Sequence, residues 1–274
     1  MLADMSNELL TVRPATHDDL DVIVTLTKAM RRQLARWAPV YFNPTAEADQ
    51  LHPVFLEFMI NSEDHVTQAL VSEDGLVGFF AEHMLAGETR TWVDDLCVAD
   101  EALWRSTIRA IGEVVAPPWV TCVSSQDESR TAALTESGLS VVSSFWARTT
   151  HDIVAVEPAV FDPVDFDASN AAPHVFGGQA FRPDLPGALV VGSHAGYAIG
   201  SPPVTPPIYD PGGPTTVIDQ VNGLDRSTVL QMSLAAAAHR DDAQVVVVCS
   251  EEDAELSVIL GESGFNRVVD LIGL

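Results

Sequence analysis

Lysine is almost missing from this 274-residue sequence: Lys28 stands alone, and arginine supplies the rest of the 14 basic side chains, set against 39 acidic ones. The formal net charge is -25. A surface so short of cations repels phosphate backbones and anionic lipid, which argues against nucleic acid or a membrane surface as partner. Cysteine is scarce as well. Cys97, Cys122 and Cys249 are too few for a disulfide framework and lack metal spacing. Each lies in an apolar, strand-like run, so three buried thiols in a reducing compartment are expected. The eight histidines show no metal-ligand spacing either. No apolar run approaches the ~20 residues that span a bilayer. The opening MLADMSNELL has neither a basic n-region nor an apolar h-region, so a cytoplasmic protein without a signal peptide is expected.

What is present is enough apolar material, 47% of residues, for a packed core of one large domain or two small ones. LLTVRP (9–14) reads as a short strand with Thr16 as N-cap of a following helix, in which Leu20, Val22, Ile23, Leu26, Met30, Leu34 and Trp37 recur at helical spacing. A second helix is expected over 45–62. The turn Glu73-Asp74-Gly75 then joins two apolar runs as a hairpin. Strands at 91–98, 119–124 and 139–149 alternate with helices at 100–115 and 126–137, the latter ending at Gly138. From 150 to 187 prolines break the pattern into a linker or arm. A hairpin around Ser193-His194-Ala195, the Pro-rich loop 201–214, and strand, helix, strand, helix, strand complete the chain. The expected fold class is α+β, with domains at 1–150 and 151–274.

The second stretch repeats the first. Leu103-Trp-Arg-Ser-Thr-Ile108 returns as Leu224-Asp-Arg-Ser-Thr-Val229, and Asp127 through Leu139 aligns without gaps on Asp253 through Phe265. Asp95 in VDDLCV sits opposite Asp219 in VIDQV. The matches lie about 124 residues apart, in the same order and on the same kinds of element, which points to duplication.

The order hairpin, strand, helix, strand, Gly-terminated helix, strand, with TVRPATHDDLDVI ahead of it and TESGL or GESGF at its end, resembles the GNAT acetyltransferase superfamily. The chain thus looks like a tandem pair of GNAT modules, each a mixed, mostly antiparallel sheet flanked by helices, the second lacking the first strand and two helices. The resemblance implies acetyl-CoA as cofactor and a small-molecule amine as acceptor, and a homodimer is left open. It places pantetheine along Leu96, Cys97 and Val98, and the pyrophosphate on the loop Arg105, Ser106, Thr107, Ile108 and Ala110, with Asp127 heading the next helix. Ile108 stands where the family has a glycine that lets phosphate approach, and Val229 does so in the second copy. The tyrosine acid of the family is Leu134 or Leu260 here. Candidate bases are Asp95, Asp94, Glu82 and His83, with Asp219 in the second copy. By strand alternation Asp94 and Asp95 are not expected to face the same cleft. Two functions follow from the resemblance: acyl transfer to an amine, or a pair that has lost catalysis and serves as a binding or structural module.

Overall fold

A computed structural model describes residues 10–61, 67–72, 77–85, 88–156, 189–193, 196–201 and 208–273. Its elements follow in the expected order. β1 (Val12–Pro14) leads through a 3-10 turn into α1 (Leu20–Trp37) and α2 (Ala48–Ile60), and then come β2 (Thr67–Ser72), β3 (Val77–Leu85) and β4 (Glu88–Cys97). α3 (Trp104–Val114), β5 (Trp119–Ser124), α4 (Glu128–Glu136) and β6 (Ser140–Thr149) close the first half. The second half comprises β7 (Leu189–Ser193), β8 (Gly196–Ser201), β9 (Thr215–Gly223), α5 (Arg226–His239), β10 (Gln244–Ser250), α6 (Ala254–Glu262) and β11 (Asn266–Gly273). The turn at 73–75, His194-Ala195, and most of the Pro-rich segments 150–187 and 201–214 lie outside the described residues.

Local chemistry accounts for the helix ends. Asp127, Asp225 and Asp253 each precede a helix and accept a hydrogen bond from its first turn, from the N–H of Arg130, Thr228 and Leu256. Gly138 and Gly264 follow α4 and α6 at φ +89° and +78°, a conformation that costs glycine nothing.

All eleven strands belong to one mixed, mostly antiparallel sheet in the order β1-β2-β3-β4-β5-β11-β6-β10-β9-β8-β7. Among the described residues, only β4–β5 and β9–β10 run parallel. The halves exchange their last strands: β11 lies between β5 and β6, and β6 pairs with β10. Side-chain alternation divides the core between two faces. Val245, Val247 and Cys249 of β10 join Leu230, Leu234, Leu256 and Leu260 of α5 and α6, while Val246 and Val248 meet Tyr41 and Phe42 from the α1–α2 loop. In the first half Val93, Leu96 and Val123 pack under α3 and α4, and α1 and α2 cover Ala69 and Cys97. Each fully buried Leu, Ile or Phe, such as Ile111, Leu134 and Phe145, contributes about 1.5–3 kcal/mol.

Candidate active site

β4 and β5 pair only from Thr91↔Trp119 to Val93↔Thr121 and then part, leaving a wedge between the last residues of the two strands. β9 and β10 part likewise beyond Ile218↔Val247. Beside each wedge the strand carries a bulge: β4 places an extra residue opposite β3 between Asp94 and Cys97, and β9 does so opposite β8 between Ile218 and Gln220. The aspartates that the sequence comparison set opposite each other, Asp95 and Asp219, fall in these bulges.

Asp95 takes φ +46°, a left-handed conformation that aspartate tolerates better than most residues. The expected alternation therefore fails. With one residue bulged out, both carboxylates come near the same group, His52 of α2. His52 is buried, and its Nε2 lies 3.2 Å from the Asp95 carboxylate. Its Nδ1 meets the Arg31 guanidinium. Arginine can only donate, so Nδ1 accepts and the ring proton sits on Nε2, donated to Asp95. Arg31, buried itself, is held in turn by Asp49 at 2.6 Å, which also pairs with Lys28. The line Asp49, Arg31, His52, Asp95 fixes the bulge from behind. Asp94 is open to solvent, yet deep enough among protein atoms that its carboxyl is pushed up to about 6, first by desolvation and then by the Asp95 charge.

The second half contributes to this cleft. Ile208–Asp210 pairs with the α1–α2 loop, with Thr45 N–H on the Ile208 carbonyl at 3.0 Å and Asp210 N–H on the Asn43 carbonyl at 2.8 Å. Tyr209 is thereby brought against Phe42, ring centroids 5.4 Å apart, and close enough to Asp95 that burial and that charge push its phenol upward.

Arg130 lies across the wedge. It projects from the first turn of α4, is 3% exposed, and donates to the Leu96 carbonyl on β4 at 2.6 Å and to the Cys122 carbonyl on β5 at 3.0 Å. Asp127 approaches its Nε at 3.4 Å and the Trp104 ring lies 5.4 Å away. One guanidinium thus bridges the parted strands and takes the backbone acceptor that the resemblance assigned to pantetheine. In the second half Arg226 donates to the Val221 carbonyl at 3.0 Å and is locked to Asp253. Ile108 and Val229, at the positions of the missing glycines, are core residues. Arg130 thus lies across the first wedge, whereas Arg226 bonds β9 alone in the second.

The other expected cofactor residues are placed as follows. Leu96 and Cys97 are buried and Val98 is half-buried; Thr107, Ile108 and Ala110 turn into the core. Ser106 donates to the Leu103 carbonyl, and Arg105 forms an exposed two-pronged pair with Glu136 at 2.6 and 2.8 Å. Asp127 caps α4. Glu82 and His83 lie on β3 opposite Thr91 and Arg90, with side chains outside the described residues. Cys97 and Cys249 are buried and Cys122 is half-buried; all three are free and their thiols are pushed upward by desolvation. No group of three or more possible metal ligands occurs among the described residues, and none of their helices is long and apolar enough to cross a membrane. Sequence reading missed His52, Tyr209 and Arg130. A signal existed for the last: Arg130 sits three and four residues before Ala133 and Leu134, on the apolar face of its helix.

No family model matches the sequence, and no curated protein does. Among solved structures, a GCN5-related N-acetyltransferase from Sphaerobacter thermophilus aligns over 97% of this chain and 95% of its own, with a TM-score of 0.52 and 11% identity. The chain has a GNAT fold. A second GCN5-related N-acetyltransferase, from Kribbella flavida, aligns over 83% of this chain and 95% of its own at 15% identity and a TM-score of 0.47. At such identities the likeness concerns the GNAT architecture alone, and the chemistry has to be argued from the side chains.

Proposed function

We propose that this GNAT-fold chain binds rather than acylates: its wedges are closed to acetyl-CoA, and the Asp94–Asp95 cleft is kept as a seat for a small amine. Arg130 carries the reading. A buried guanidinium bonded to both wedge strands and stacked near Trp104 leaves pantetheine neither the acceptor nor the space, and the buried Leu134 and Leu260 offer no acid for a leaving thiolate. Two carboxylates beside a wall of Tyr209 favour a cation. Calorimetric titration tests both parts. Acetyl-CoA gives no binding heat at millimolar concentration, whereas spermidine, used as a probe amine, binds and loses affinity in Asp94→Asn. Micromolar binding of acetyl-CoA to the unaltered protein overturns the reading.

One observation favours the alternative, acyl transfer to an amine. The Asp94 carboxyl, pushed up to about 6, lies near the working range of a general base. That reading expects thiol release from acetyl-CoA in the presence of spermidine, abolished by Asp94→Asn.

A further inference from the structure

Among the described helices, α2 alone exposes more than one large apolar side chain. Leu51 is 42% exposed, Val54 64%, Phe55 46% and Phe58 68%. They recur at i, i+3, i+4 and i+7, so they form one stripe about 10 Å long on a helix that rises about 1.5 Å per residue. The opposite face is already committed, with Ala48, His52 and Leu56 buried and Leu56 packed beside Ile23 of α1. Core packing therefore leaves the stripe unexplained, and a run of exposed apolar groups of this size marks a contact surface.

The stripe is free of charge although the chain has a formal net charge of -25. From Gln50 to Asn61 every exposed residue is uncharged. Glu57, half-buried, leans toward His17 at 3.5 Å, and Asp49 is tied to Lys28 and Arg31. A basic partner needs carboxylates at the contact and finds none along the stripe. A second copy of so acidic a chain needs the reverse, because like charges facing each other across an interface oppose association. The exposed parts of the four side chains amount to roughly 400 Å² per copy, about half of the ~800 Å² that each partner gives to a standard interface. That share suits an apolar core within a polar rim. Glu47, exposed one turn beyond Leu51, sets the direction. Parallel helices would bring the two Glu47 side chains together, whereas antiparallel helices crossing between Val54 and Phe55 hold them about 22 Å apart, beyond two Debye lengths at physiological salt.

We propose that two copies of the chain pair through α2, antiparallel about a two-fold axis between Val54 and Phe55, with Leu51 of each copy against Phe58 of the other. The contact is separate from the Asp94–Asp95 cleft and does not depend on what that cleft binds. Sedimentation velocity of the full chain over about 1–100 µM tests it. The unaltered protein shows a monomer–dimer equilibrium with a Kd below about 50 µM, and the dimer tightens as salt rises, since screening weakens the repulsion between two acidic bodies. Val54→Glu and Phe58→Glu each strike the interface twice and each raise Kd at least about a hundredfold, with Tm within about 2 °C of the parent because both positions are exposed. Val258→Glu, an equally acidic change at an exposed position of α6, leaves the equilibrium as it was. A chain that stays monomeric to about 100 µM, a dimer that loosens as salt rises, or a dimer untouched by both α2 variants overturns the proposal.

Discussion

Removing the Arg130 side chain tests the wedge assignment through stability alone. Arg130→Ala strips two donors from carbonyls that sit between β4 and β5, at 2.6 and 3.0 Å, and leaves Asp127 without its buried counter-charge. An unsatisfied buried acceptor costs about 1–3 kcal/mol, and breaking a buried charge cluster by deleting one member costs about 3–5 kcal/mol. Burial itself works against the guanidinium, lowering its pKa, and water entering the vacated wedge recovers part of the loss. A net destabilisation of about 3–5 kcal/mol is expected, which for a chain of this length lowers Tm by roughly 10 °C. Urea unfolding of Arg130→Ala and Arg130→Met side by side gives the answer. Methionine keeps much of the stem and its packing on Trp104 but donates nothing, so the two variants should fall nearly together. If methionine restores most of the stability, or alanine stays within about 0.5 kcal/mol of the parent, the guanidinium is not what holds the wedge.

Further outcomes follow from the same geometry. Because the folded protein raises the Asp94 carboxyl to about 6, the native state binds the proton more tightly than the unfolded chain, and this residue's contribution to stability declines as pH rises from about 4 to 6; Asp94→Asn should raise Tm at pH 7.5 and leave it unchanged near pH 3.5, as read from melts across pH. Asp95→Ala puts an alanine at φ +46° and removes the His52 acceptor, for a loss of about 1–3 kcal/mol in urea unfolding, whereas Asp95→Asn keeps both the tolerated conformation and an oxygen for Nε2–H and loses less. Arg105→Ala breaks only an exposed pair with Glu136 and should change stability by less than about 1 kcal/mol in the same assay.

The element order was legible in the sequence because local rules agree throughout: aspartate ahead of a helix, glycine after it, alternation in the strands. Three things were not. Strict alternation across Val93–Leu96 kept Asp94 and Asp95 apart, and nothing in VDDL marks the extra residue that β4 inserts against β3; a bulge is set by the partner strand. Arg130 reads as a surface helix residue by composition, and only its position in register with Ala133 and Leu134 betrays that it points inward. Tyr209 is farther from reach still, since its place beside Asp95 depends on a pairing between residues 43–45 and 208–210. Local signals name which elements exist, and pairing between halves decides what they build.

The exchange of β6 and β11 bears on how the chain comes into being. β5 emerges from the ribosome long before β11, yet its ladder from Ser124 to Val120 is with Val269 to Gly273, and β6 likewise waits for β10. During synthesis the first half therefore holds two strand edges exposed in the middle of its sheet, at the place where unpaired edges are most prone to join a neighbouring chain. Closing those ladders requires contacts across some 150 residues of sequence, a topology that folds slowly and in one cooperative step. A nascent chain stalled after residue 150 should thus be a client for chaperones, and the two halves made as separate polypeptides should gain order only on meeting.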